Sequence, residues 1–197
     1  MMFTTGSIYI LCFLHLKYQF EQVYLEIYDC LKRKAYPKIM SLFKAHMTIE
    51  KETKLVNNEM KYYIYIMYVI IKPCFSLFVY LSHSPDSTAI MRHMTSFIVL
   101  LIVQLLFTIN YLCALVTRSA HKPQFPLYNT ILSRDQNIPL RIRFKIMRFI
   151  ERLSGPEIGF YCYDLFPMTS YYFTDYVLDS IGSYFLVLRT LQTNGFL

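Results

Sequence analysis

The sequence predicts an all-α fold, a multi-pass transmembrane helix bundle of about four spans, and three observations carry that prediction. Only 17% of the 197 residues are charged, against about 25% in a typical soluble domain. The mean hydropathy is positive, +0.32. The Lys and Arg residues also fall in blocks that alternate with long apolar runs. The expected organisation is a single membrane domain over 1–197, with spans at about 3–19, 62–81, 96–116 and 167–191. Cytoplasmic segments 20–61 and 117–166 and an outer loop at 82–94 connect them.

The first span rests on "GSIYILCFLHL", Gly6 to Leu16, which reaches crossing length only with the residues before it. It has neither a basic start nor a small-residue cleavage site, so it does not read as a signal peptide. Phe20, Val23, Ile27 and Leu31 then continue a helical stripe beyond it. The second span, Tyr62 to Leu81, is interrupted by Lys72 and Pro73. A lysine at mid-depth is costly against lipid, so Lys72 is expected to face a cavity or a carboxylate partner.

The third run, Ser96 to Val116, has 21 uncharged residues, about 31 Å of helix at ~1.5 Å per residue. Its polar members, Gln104 and Asn110, are candidates for hydrogen bonding to a neighbouring helix. The fourth, Leu165 to Leu191, is more polar, with Asp175, Asp179 and Arg189. Asp175 and Asp179 are four apart and share one helix face, as expected of a helix lining an aqueous cavity. A surface helix of a soluble domain is the alternative reading of that segment.

Charge asymmetry orients the scheme. The stretch from Lys17 to Lys61 holds nine Lys and Arg, that from Arg118 to Phe166 holds eight, and the outer connection holds only Arg92. Seventeen of the twenty basic residues thus fall on one side, which the positive-inside rule makes cytoplasmic, and the C-terminus is extracellular. A net charge of +7 is explained this way without a nucleic-acid partner. Within the second basic segment, "IPLRIRFKIMRFIERL" is expected to form a basic amphipathic helix through Phe144, Met147 and Ile150. Such a helix lies on a membrane surface or packs on its neighbours.

No nucleotide-binding, metalloprotease or serine-hydrolase motif occurs, so no enzyme, catalytic residue, cofactor or metal site is expected. His83, Asp86 and His93 share the outer loop without metal-ligand spacing. The five cysteines are scattered and form no disulfide framework.

The C-terminal stretch "GFYCYDLFPMTSYYFTDYVLDSIGSYFLVLRTLQ", Gly159 to Gln192, resembles the arthropod gustatory receptor family of the insect chemoreceptor superfamily. That family's last helix follows a Gly-Phe approach and a Leu-Phe segment. It then runs through a Ser-Ile-Gly-like stretch to Thr-Tyr, five apolar residues and Gln-Phe. Leu165-Phe166, Ser180-Ile181-Gly182 and Ser183-Tyr184 stand in for these elements, while Thr190 occupies the glutamine position and Gln192 follows two later. The resemblance implies a seven-helix, ligand-gated cation channel, usually a tetramer, of which this chain covers the last four helices.

It further implies that Asp175, Asp179, Ser183, Tyr184 and Thr190 lie on or near a pore-facing helix, with Leu186 and Val187 as apolar gating rings. The implied partners are a small-molecule tastant, the lipid bilayer of the plasma membrane and other receptor subunits in a homo- or hetero-tetramer. A non-channel membrane protein, such as a transporter component, and a receptor fragment without its own function are the alternatives.

Overall fold

The structure, a computed structural model, describes residues 2–83, 88–132, 138–155, 158–163 and 166–169, and ten single residues from Tyr171 to Thr193. The side chains of 2–7 and of several residues between 67 and 106 lie outside the described set. The chain is mostly helical. In order come α1 (Met2–Lys32), α2 (Tyr36–His83), α3 (Ala89–His121), α4 (Gln124–Leu132) and α5 (Leu140–Leu153). Two two-residue strands, β1 (Tyr161–Cys162) and β2 (Phe166–Pro167), then pair with each other.

The helices do not stop where the predicted membrane boundaries lie. α1 runs on from 3–19 into the basic segment, and α2 joins the rest of that segment to 62–81 through Pro73. Hydropathy reports the solvent around a helix, whereas its ends are set by caps and by residues that leave the αR region. α1 ends because Lys34 takes a left-handed φ of 57° and the amide of Ala35 donates back to the Cys30 carbonyl at 2.9 Å. α3 starts at Thr88, whose Oγ1 accepts from the Met91 amide at 3.3 Å in the manner of an N-cap. The 48 residues of α2 make about 72 Å of helix at ~1.5 Å per residue, more than twice a bilayer's hydrocarbon core.

The chain divides into two compact units. One holds Met1–Glu59 with Leu112–Tyr161, the other Met60–Tyr111 with Cys162–Leu197. In the first, Phe20 and Ile27 of α1 are buried and Val23 and Leu31 half-buried, as the predicted stripe requires. α4 packs on α5 and contacts α1, burying Leu127. Phe43 of α2 stacks on Phe149 of α5 with ring centroids 4.0 Å apart. In the second unit Tyr163 takes a φ of 49° and sets its ring against Tyr62 and Tyr65, at 5.3 and 5.2 Å. Cys162 is buried there, which pushes its thiol up to about 11.

Residues 140–153 form a helix, as expected; its core-facing arc is Ile146, Phe149 and Leu153, while Phe144 and Met147 are exposed and Ile150 is half-buried. The helix carries two apolar arcs, and a stripe drawn through one of them cannot tell which arc the core takes. Among the described residues one run, Ala89–Leu132, is long and apolar enough to cross a membrane. Its most apolar window has a mean hydropathy of 2.4 and is only 19% buried.

Candidate functional site

α2 carries a stripe at alternating spacings of four and three: Ile39, Phe43, His46, Glu50, Thr53, Asn57, Met60 and Ile64. All eight are buried. The spacing is that of a coiled-coil seam, which keeps one face of a long helix against its neighbours. The middle four positions are polar, so each needs a partner.

Glu50 has it on both carboxylate oxygens. Lys54 Nζ donates to Oε1 at 2.8 Å, while Arg152 on α5 donates to Oε2 from Nε at 3.1 Å, with Nη2 at 2.9 Å. The Glu50 side chain is only 5% exposed. Burial raises its pKa, but the hydrogen bonds and charges of Lys54 and Arg152 outweigh that and hold the carboxyl below its usual range. Thr53 returns its hydroxyl to the Ile49 carbonyl at 2.9 Å.

His46, 1% exposed, places Nε2 2.9 Å from the carbonyl oxygen of Ala120, near the end of α3. A carbonyl can only accept, so Nε2 carries the proton and Nδ1 is the bare nitrogen. Nδ1 is buried without a hydrogen-bond partner. The ring lies against Phe20 at 5.0 Å and, edge-on, Phe149 at 5.2 Å. A second proton would therefore sit on Nδ1 in an apolar pocket, and burial holds the pKa below the ordinary value.

The last polar position of the stripe, Asn57, meets the segment that leads into the last predicted helix. Gly159 lies against Thr117 of α3 so closely that a Cβ there would stand 2.2 Å from Thr117 Oγ1. Phe160 is buried and meets Phe13 of α1 edge-on, with centroids 4.6 Å apart. The Tyr161 amide donates to Asn57 Oδ1 of α2 at 2.8 Å. Three consecutive residues thus grip three helices of one unit.

The residues singled out from sequence fare unequally. Asp175, Asp179, Leu186 and Arg189 are helical and exposed. Ser183, Tyr184, Val187 and Thr190 lie outside the described residues, as does the side chain of Lys72. Gln104 is exposed and Asn110 buried, on the same helix. Sequence reasoning passed over the His46–Asn57 stripe and the grip of Gly159–Tyr161. The repeated four-three spacing was the available signal for the former, and the Gly-Phe pair for the latter. Among the described residues no three His, Cys, Asp or Glu side chains are grouped to hold a metal ion. Comparison with protein-family models and with curated proteins finds no match to this chain.

Proposed function

We propose that this chain is a subunit of a gustatory-type chemosensory receptor, a ligand-gated cation channel of the plasma membrane built as a bundle of about four spans. The observation that carries the reading is the stretch from Gly159 to Gln192. Its Gly-Phe approach is the point where the chain is gripped by α1, α2 and α3 before the proposed pore helix begins. Ligand-induced shifts of those helices would reach the pore through that grip.

Two further observations support a membrane protein. Seventeen of twenty basic residues fall on one side of the four-span scheme. Only 19% of the most apolar window of Ala89–Leu132 is buried, which suits hydrocarbon and is costly in water. In this reading Asp175 and Asp179 attract cations, Leu186 and Val187 form the dewetting constriction, and the subunits form a homo- or hetero-tetramer gated by a small-molecule tastant.

The test is current recorded from cells expressing the receptor while sugars and bitter compounds are applied. Tastant-evoked cation current is expected, and charge reversal at Asp179 is expected to alter its cation permeability. Surface expression without any such current would defeat the proposal, and unchanged selectivity would remove Asp179 from the pore.

A further inference from the structure

α5 has two apolar arcs, and the core uses only one. At about 100° per residue, Ile146, Phe149 and Leu153 form the buried arc, and Leu140, Phe144 and Met147 lie roughly opposite. These three are 68%, 58% and 41% exposed. α4, which packs on α5, repeats the pattern: Leu127 is buried while Phe125, Tyr128 and Leu132 are exposed. An open apolar surface on two adjacent helices is covered by something in the working protein.

The charges beside it say what. Arg141, Lys145 and Arg148 fall on one flank of the open arc, all exposed. None of the three makes an ion pair among the described residues. Arg143, on the other flank, reaches the Ile131 carbonyl at 3.4 Å, and Arg152 is taken by Glu50. The single carboxylate on this face is Glu151, at its C-terminal end. A second copy of the same face would set like charge against like. An apolar stripe edged by exposed cations fits the boundary between acyl chains and acidic headgroups.

We infer that the open arc of α5, with α4 beside it, docks on an anionic membrane surface, Leu140, Phe144 and Met147 entering the acyl boundary and Arg141, Lys145 and Arg148 meeting lipid phosphates and carboxylates. The inference stands on the face itself and does not use channel activity, so a silent channel leaves it intact.

The chain has no tryptophan, which makes Phe144→Trp a unique fluorescent reporter in the full-length protein reconstituted into vesicles. With about 30% phosphatidylserine the new indole is expected to emit at short wavelength and to be quenched by brominated lipids. Each basic residue near an acidic surface contributes about a fivefold factor. Replacing all three by glutamate should therefore shift the docking equilibrium more than a hundredfold and abolish quenching. Salt at about 1 M, where the Debye length is ~3 Å, should weaken it.

Water-like emission without quenching would overturn the inference. So would short-wavelength emission that brominated lipid leaves untouched, since that marks cover by protein, including a second copy. Should Phe144→Trp fail to fold by circular dichroism, Leu140→Trp reads the same arc.

Discussion

Replacing Gly159 by alanine probes the tightest contact in the grip. The added Cβ would stand 2.2 Å from Thr117 Oγ1, 3.2 Å from its Cβ and 3.4 Å from its Cγ2. Thr117 cannot simply turn aside, because Oγ1 donates to the Cys113 carbonyl at 3.1 Å and a helical threonine has only two favoured rotamers. Overpacking of this kind costs about 1–3 kcal/mol. Restricting the unfolded chain returns about 0.4–1 kcal/mol, since Gly159 does not occupy the left-handed region. The net loss is about 1–2 kcal/mol.

Thr117→Ala alone gives up one hydrogen bond, about 0.5–1.5 kcal/mol. With both changes only the 3.2 Å contact between Cβ atoms remains, and a shift of a few tenths of an ångström relieves it. The second substitution should thus be nearly free once the first is present, giving a coupling of about 1–2 kcal/mol. For a chain of this size each kcal/mol moves the midpoint by roughly 2–4 °C. Thermal unfolding of the four proteins in detergent, followed by circular dichroism, measures the cycle. Strict additivity would refute the reasoning, because it would mean that residue 159 does not press on Thr117.

Other outcomes can be checked on the same material. His46 has a folded pKa below its usual 6.5, so between those values the unfolded chain binds a proton that the folded one refuses. Stability should then fall as pH drops below 6.5, by at most ~1.4 kcal/mol per pH unit, and His46→Gln should flatten that slope in denaturant titrations. Glu50 does not contribute in that window: its pKa is held below 4.5, and its stabilisation is lost only as pH falls through that lower value. Arg152→Ala should cost about 1–2 kcal/mol in chemical denaturation, less than for a fully buried pair because the Arg152 side chain is 44% exposed. The same change in a Glu50→Gln background should cost less than half as much. Lys34→Gly should stabilise by about 0.5–1 kcal/mol, because glycine holds the left-handed φ without a Cβ clash.

The elements were legible wherever one physical pattern acted alone. The uncharged run from Ser96 to Val116 lies within α3, and the Phe20–Leu31 stripe within α1. Legibility failed where two patterns overlapped. On α5, apolar residues occupy both arcs, and choosing between them takes knowledge of Phe43, whose ring selects Phe149. On α2, His46, Glu50 and Asn57 look like a solvated face until partners arrive from α3, α5 and the Tyr161 backbone. Those partners lie 74 to 104 residues away, beyond the reach of any local period. The predicted pore residues were selected by a motif and by the four-residue spacing of two acids, and the three of them described as helical and exposed are Asp175, Asp179 and Leu186.

The grip of Gly159–Tyr161 also has a schedule. Asn57 and Tyr161 are 104 residues apart, and a ribosome adding ~5–20 residues per second needs roughly 5–20 s to bridge that interval. Over that time the polar middle of α2 is already made while its partners emerge one after another, Ala120 first, then Arg152 and last the Tyr161 amide. During this interval a nascent chain exposes a carboxylate, an imidazole and an amide on an otherwise apolar seam. A chaperone or insertase that shields this seam until residue 161 emerges would be most needed then, and translational pausing after Asn57 would lengthen the exposure.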